Sequence, residues 1–332
     1  MITSKMKAIV YTDYGGPEVL QLKEVAKPSP KDHEVLVKIH AASINAGDEH
    51  LLRADPFLVR LSSGLRKPKN MILGADLAGR IEAVGRNAAQ FQPSDEVFGD
   101  LAECGFGAFA EYVAVPENAL ALKPANLSYE EAASVPAAAF TALQGLRDKG
   151  KIQPGQKVLI NGASGGVGTY ALQIAKSFGA EVTAVCSTGN LAMARSMGAD
   201  HVIDYTQEDF TQNGKRYELI LAVNGYHPIS DYKRALSPHG IYVMTGGSTN
   251  QWFQAMLLGS VMSLIGGKKM GNLSMKPNHQ DLVFLKELLE TGKVVPVIDR
   301  CYPIEKTADA FRYFEKGHLK GKVVITMEHD SN

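Results

Sequence analysis

The stretch Lys157-Val-Leu-Ile-Asn-Gly162-Ala-Ser-Gly165-Gly166-Val-Gly168 decides the fold. A short apolar strand runs into a glycine turn, and the turn runs into the helical pattern Thr169-Tyr-Ala-Leu-Gln-Ile-Ala-Lys. That order suits a loop wrapped around a dinucleotide pyrophosphate. Gly165 lets the backbone approach the phosphates with no side chain between, and Gly168 lets the new helix sit close to the strand. Ser164, Gly165, Gly166 and Val167 then offer the first-turn N–H groups and the positive end of the helix dipole to the anion. The G-x-G-x-x-G pattern is matched imperfectly, because Ala163 takes its first glycine position.

The next strand, Glu181-Val-Thr-Ala-Val185, ends in Cys186-Ser187-Thr188-Gly189-Asn190. An NAD-binding unit usually carries Asp or Glu about twenty residues past the fingerprint, on the adenosine ribose. Here that place holds small hydroxyl residues. A carboxylate would repel a 2′-phosphate, whereas the hydroxyls and N–H groups of Ser187 and Thr188 can bond to it. Arg195 adds charge one helical stretch on, and Tyr205 can lie against the adenosine. The expectation is therefore NADP(H). Ser187 and Thr188 also suit the cap of a helix starting near Asn190, and one role does not exclude the other.

Composition narrows the class. The chain has 332 residues, 45% of them hydrophobic, with 35 Lys and Arg against 35 Asp and Glu. Its length suggests two domains, and its charge balance lacks the basic footprint of a nucleic-acid binder. Three scattered cysteines, Cys104, Cys186 and Cys301, imply neither a disulfide framework nor a cysteine-rich metal site. Met1-Ile-Thr-Ser-Lys-Met-Lys has no apolar segment of signal-peptide length, so the expected location is the cytoplasm. The apolar run Trp252–Ile265 is shorter than the roughly 20 residues a bilayer demands. It reads as a buried or interface helix, and no membrane partner is expected.

Two patterns divide the chain. Up to about Leu122 short alternating strands dominate, among them Met6–Tyr11, Val19–Leu22, Glu34–His40, Leu77–Val84 and Ala108–Val115, punctuated by glycine and proline. This predicts a partly open, barrel-like β domain. Helical stretches follow at 130–134 and 137–146, broken by Pro136. From Gln156 strands near 157–161, 181–185, 201–203, 218–223, 239–245 and 268–275 alternate with helices, including Ala192–Met197 and Ser230–Leu236. That alternation predicts a doubly wound parallel sheet of six strands. An amphipathic helix follows at Gln280–Glu290, then a strand near Val297, a helix at Lys306–Glu315 and a last strand at Gly321–Met327. The last strand is expected to rejoin the first domain.

Several markers now stand together: Gly74-Ala-Asp-Leu-Ala-Gly79 with Val84-Gly85, Pro93-Ser-Asp-Glu-Val-Phe-Gly99, Gly107-Ala-Phe-Ala-Glu-Tyr112, the glycine turn, and Met197-Gly-Ala-Asp200. With them the chain resembles, over essentially its whole length, the medium-chain dehydrogenase/reductase superfamily, and within it the zinc-free quinone oxidoreductase branch. The resemblance implies a GroES-like domain of residues 1–126 with 293–332 and a Rossmann domain of residues 127–292, with the cofactor between them. It also implies a homodimer, expected through residues 250–275; the counter-reading folds that apolar run inward over the cleft. Zinc alcohol dehydrogenases of the superfamily carry Cys and His where this chain has Asn45 and Ala75, neither a good Zn²⁺ ligand. His40, Asp48, Glu49 and His50 are ligand types nearby, but no metal is expected. The strand Leu219–Gly225 lacks an acid that many relatives carry before its turn.

Without a Lewis acid the expected reaction is hydride transfer from NADPH to an already activated acceptor, a quinone or an α,β-unsaturated carbonyl. Asn45 is the candidate catalytic polar group at the nicotinamide, with an ordinary turn role as its alternative. Thr141, Asn224, Thr245, Gly246 and Lys322 are placed around the nicotinamide half, since ligands of open α/β sheets gather beyond the carboxyl ends of strands; Lys322 reads equally as a surface lysine. Phe57, Leu58 and Leu61 either line a hydrophobic acceptor pocket or pack in the ordinary way. Two other functions remain open: a zinc-independent alcohol or aldehyde dehydrogenase, and a cofactor-bound structural or regulatory protein. No proton donor is evident.

Overall fold

A computed structural model describes residues 4–225, 227–247 and 267–329. Its centre is a parallel sheet of six strands: β8 (Lys157–Asn161), β9 (Glu181–Cys186), β10 (His201–Asp204), β11 (Tyr217–Ala222), β12 (Leu236–Met244) and β13 (Lys269–Asn272). They lie in the order β10-β9-β8-β11-β12-β13, every pairing parallel. The order reverses between β8 and β11, which opens a crevice beyond their carboxyl ends.

Alternation along these strands explains why they are apolar throughout. Val158 and Ile160 enter one core with Leu219 and Leu221, while Leu159 enters the core on the other face with Ile220 and Ala222. A parallel sheet covered on both faces requires that continuous apolar run. One face is closed by α4 (Pro136–Leu143), α5 (Gly166–Ser177) and α8 (His279–Glu290), the other in part by α7 (Ile229–Ala235). A π-turn, Gln144–Lys149, extends α4. The short α6 (Leu191–Ser196) returns the chain from β9 to β10.

A seven-stranded sheet carries the rest. It contains β3 (Glu34–Ser43), β4 (Asp76–Val84), β5 (Glu96–Asp100), β6 (Tyr112–Pro116), β7 (Leu120–Leu122), β14 (Ile298–Pro303) and β15 (Lys322–Thr326). The path is β14-β15-β3-β4-β5-β7, with β6 on β3. The last strand thus returns to the N-terminal sheet, antiparallel to β3, as expected from the sequence. A hairpin of β1 (Lys5–Val10) and β2 (Gln21–Ala26) forms its own two-stranded sheet, tied to residues 109–111 by the Ile9 N–H on the Phe109 carbonyl and the Glu111 N–H on the Lys7 carbonyl. Helices α1 (Ala46–Arg53) and α2 (Val59–Ser63) follow β3, α3 (Tyr129–Ala133) precedes α4, and α9 (Thr307–Glu315) precedes β15.

Strand register in this sheet sets up a polar row. Val324 faces Ser43, Ser43 faces Asp76, and Asp76 faces Asp100. Directly opposed residues project from the same sheet face with Cβ atoms about 5 Å apart. One row across four strands therefore brings a hydroxyl and two carboxyls together.

Several sequence expectations are corrected in detail. Val19–Leu22 is a 3₁₀ turn at Pro17–Val19 before a strand that begins at Gln21, because Pro17 fixes a helical φ at its first position. Ala108–Val115 becomes a strand only from Tyr112, since Ala108 and Phe109 bond instead to Gly74 and Leu73 in the adjacent loop. The strand expected at 268–275 is only Lys269–Asn272. The run Trp252–Ile265 lies outside the described residues. Among those described, no helix is long and apolar enough to cross a membrane.

Candidate active site

The glycine turn sits at the crevice between β8 and β11. Gly162 has φ +88°, and a Cβ there would stand 2.8 Å from the Asn224 nitrogen after β11. Two loops meet here because one has no side chain. Gly168 is tighter still: its Cβ would fall inside the Gly162 carbonyl oxygen and within 2.7 Å of Ala163. Gly165 is the opposite case, with nothing among the described residues nearer to an added Cβ than 3.9 Å. It caps α5 in an extended conformation with no side-chain bond to the helix. The first N–H groups of a helix have no intrahelical partner, and here they stand at the positive end of a twelve-residue helix. A pyrophosphate fits that cradle by size and charge.

The last strand docks directly on this loop. The Gly321 N–H donates to the Ser164 carbonyl at 3.0 Å. A Cβ on Gly166 would lie 2.8 Å from Cδ of Lys322, so the lysine stem lies across the first residue of α5. Lys322 is only 3% exposed, which rules out a surface lysine. Its ammonium donates to Oδ1 of Asn45 at 2.5 Å and to Oδ2 of Asp76 at 3.4 Å. The Asn45 amide donates to the same Asp76 oxygen at 2.9 Å, and the Ser43 hydroxyl at 2.8 Å. The other Asp76 oxygen accepts the backbone N–H of Ala137, in the first turn of α4, at 2.8 Å. Asn45, read from sequence as the polar group at the nicotinamide, thus has its amide oxygen engaged by Lys322 and its NH₂ by Asp76 and, at 3.5 Å, by the Ser43 carbonyl.

Two further buried acids flank this set. Asp48 accepts the N–H groups of Asn45 at 2.9 Å and Gly74 at 3.1 Å. Burial nevertheless pushes its carboxyl up to about 7, against the pull of those donors. Asp100 accepts the N–H of Ala102 at 2.7 Å, and its second oxygen has no partner among the described residues. Burial and then the neighbouring Asp76 carboxylate push it to about 7 as well. One buried ammonium is thus matched by one carboxylate, while the other two acids are biased toward their neutral forms.

The remaining nicotinamide-side candidates vary. The Thr141 hydroxyl donates back to Ala137 within α4 at 2.7 Å, one turn beyond the Asp76 contact. Thr245 is held to Ala222 across the sheet at 2.9 Å and follows β12 directly. Gly246 comes next, where a Cβ would strike the Val223 carbonyl. Asn224 uses its side-chain oxygen to accept the Gly225 N–H at 2.8 Å. These turns lie beyond the carboxyl ends of β11 and β12, as expected.

At the far end, Ser187 precedes a 3₁₀ turn and its hydroxyl accepts from Asn190 at 3.1 Å. The Thr188 hydroxyl donates to Asp204 at 2.5 Å and meets Thr206 at 3.1 Å. Sequence reading saw no acid here; the parallel pairing of β9 with β10 supplies one, because Asp204 stands opposite Cys186. Its bonds to Thr188 and Thr206 hold the carboxyl below the usual range. Tyr205 is exposed beside it, and Arg195, at the end of α6, is exposed too.

Phe57, Leu58 and Leu61 are 66%, 52% and 66% exposed. The described residues do not close over them to form a pocket. The sequence reading also missed Asp76, although it lies inside the quoted Gly74–Gly79 marker. Its importance comes from the row Ser43–Asp76–Asp100, which depends on strand register and not on any local pattern.

Known proteins resemble this chain along most of its length. The alcohol dehydrogenase GroES-like domain family matches residues 31–125, and the zinc-binding dehydrogenase family matches residues 197–325. A 2-methylene-furan-3-one reductase of Solanum lycopersicum is 37% identical, the match covering 98% of this chain and 80% of that one. A chloroplastic NADPH-dependent alkenal/one oxidoreductase of Arabidopsis thaliana is 34% identical over 98% and 80%. The solved quinone oxidoreductase of Coxiella burnetii superposes with a TM-score of 0.85 at 27% identity, covering 98% of this chain and all of that one. The zinc in one family's description does not fit these residues. Asn45 and Ala75 offer neither thiolate nor imidazole, and the Lys322 ammonium already occupies the Asn45 oxygen. Among the described residues no group of three or more His, Cys, Asp or Glu could hold a metal. The chain belongs to the medium-chain dehydrogenase/reductase superfamily, in its zinc-free quinone oxidoreductase branch.

Proposed function

We propose that this protein is an NADPH-dependent oxidoreductase that reduces quinones or α,β-unsaturated carbonyls. The observation that carries the reading is the buried Lys322 ammonium beside an open, uncapped glycine turn. Bound NADPH would supply the hydride; the protein supplies position and charge. Ser164, Gly165, Gly166 and Val167 hold the pyrophosphate, Ser187 and Thr188 the 2′-phosphate, and Tyr205 covers the adenosine. Asn45, Thr141, Asn224, Thr245, Gly246 and Lys322 surround the nicotinamide half. Lys322 has three N–H donors; two go to Asn45 and Asp76, and the third is left for a ribose hydroxyl. Phe57, Leu58 and Leu61 offer apolar surface to the acceptor from beyond α1. The relatives' names, a furanone reductase, an NADPH-dependent alkenal/one oxidoreductase and a quinone oxidoreductase, support the same acceptor class.

The test is an NADPH-oxidation screen with quinones, enones and aldehydes, with metal analysis of the same preparation. Turnover of quinones or enones with far less than one zinc per chain is expected. Turnover of aldehydes alone, with zinc retained after dialysis, would contradict the reading. The proposal extends to a division at 126/127 and 292/293, to a cytoplasmic location, and to a homodimer through residues 250–275. In favour of the last, β13 is the outer strand of the described sheet, and joined edges satisfy backbone groups. Light scattering should give twice the 35.8 kDa chain mass; the single-chain mass at micromolar concentration would refute it.

A further inference from the structure

Three separate stretches of chain, 43–45, the start of α4 and the start of β15, converge on one carboxylate. Asp76 sits on β4, wholly buried. Its partners lie 33 residues away on β3, 31 away at the start of α1, 61 away in α4 and 246 away on β15. We propose that Asp76 is the positioning residue of the site: it orients the Asn45 amide and the Lys322 ammonium together, so that one lysine N–H faces the nicotinamide half of the cofactor. The proposal rests on the NADPH reading of the site.

The chemistry of each partner fixes the arrangement. A carboxylate only accepts, so the Asn45 group facing it is the NH₂, which turns the amide oxygen toward the lysine. An ammonium only donates, so it accommodates that oxygen and the Asp76 oxygen at once. The order Asp76–Asn45–Lys322 therefore runs in one direction and cannot be reversed by flipping the amide. Ser43 and the Ala137 N–H hold the carboxylate itself from two sides. A buried ammonium without its carboxylate is costly, so the lysine has reason to stay in this corner. Its stem is meanwhile pinned across Gly166, where the phosphate cradle begins. Asp76 thus sets the distance from the cradle to the lysine head without needing to touch the ligand.

The test separates the two ends of the cofactor by calorimetric titration with NADPH and with 2′,5′-ADP, which lacks the nicotinamide half. Asp76→Asn keeps the size of the side chain and removes its charge. NADPH affinity should fall about tenfold, the scale of one charge-assisted hydrogen bond, with 2′,5′-ADP unchanged within about twofold. In a Lys322→Met background the same substitution should add less than about twofold, because the group it positions is gone. Asp76→Glu restores the charge and should recover part of the loss. Equal weakening of both ligands, or unchanged NADPH affinity, would overturn the proposal. Should Asp76→Asn not fold, Asp76→Glu carries the test: NADPH weakened about threefold with 2′,5′-ADP unchanged supports it, and any other pattern overturns it. Binding is read without turnover. Wild-type protein that binds both ligands yet reduces neither quinones nor enones breaks the functional reading alone.

Discussion

The two halves of the proposed cofactor site are built in opposite ways. The phosphate end is a single run, Gly162–Gly168, whose work is done by backbone and by side chains that are missing. The nicotinamide end is made of side chains, Ser43, Asn45, Asp76 and Lys322, drawn from β3, the cap of α1, β4 and β15. The first is held by sterics at Gly162 and Gly168, where an added Cβ would strike backbone. The second is held by charge, in a row set by strand register. A phosphate needs N–H groups and room, which one turn supplies; a directed ammonium needs a countercharge and a shield, which no single turn can give.

The steric half should break hardest. Gly168→Ala drives a methyl group into the Gly162 carbonyl, and overpacking of this kind costs about 3 kcal/mol. Thermal unfolding should show it without any ligand. Gly165→Ala, in open space, should leave that unfolding unchanged and weaken only NADPH. Similar stability losses for the two variants would erase the contrast.

Next in size is the far end. Ser187→Asp sets a new carboxylate near the expected 2′-phosphate. At about 4 Å in water each pair of charges costs about 1 kcal/mol, so NADPH should lose its advantage over NADH. Parallel titrations decide, and tighter NADH binding by the unmodified protein would sink the NADP(H) assignment.

The charged half also has a pH signature. Folding raises Asp48 and Asp100 from 3.8 to about 7, burial being the main cause in both. Between those values the folded chain holds protons that the unfolded chain has released. The stability they contribute is full below about pH 4 and is lost as pH rises toward 7, by on the order of 1 kcal/mol per pH unit for each group. Urea unfolding at pH 5 and pH 8 should show the fall. Asp100→Asn should lessen it and leave the share of Asp48, since among the described residues the second oxygen of Asp100 has no donor to lose. Stability that climbs across this window would contradict the burial argument.

The smallest effect concerns Asp204, an exposed acid bonded to Thr188. Asp204→Asn should tighten NADPH about threefold at low salt and less at high salt, because surface charge is screened. Identical affinity at low salt would mean that Thr188 keeps the carboxylate turned from the ligand.

Legibility in the sequence divides along the same line. Strand, turn and helix at 157–176 are contiguous, so their periodicity and glycines could be read directly. The six parallel strands came from alternation alone. Lys322 was ambiguous, because nothing near residue 322 shows that its head is buried 277 residues away at Asn45. Asp76 and Asp204 were passed over for a related reason. Each matters through a neighbour on the next strand, Ser43 and Asp100 for one and the end of β9 for the other. Phe57, Leu58 and Leu61 show the converse limit: apolar character was visible, but their exposure depends on what α2 packs against.

The most direct test of the account is a crystal structure of the NADPH complex. The expected complex has the pyrophosphate on the N–H groups of Gly165–Val167 and a nicotinamide ribose hydroxyl within about 3.2 Å of the Lys322 ammonium, hydrogen-bond distance. A cofactor bound with its ribose out of reach of Lys322, while that ammonium still rests on Asn45 and Asp76, would contradict it.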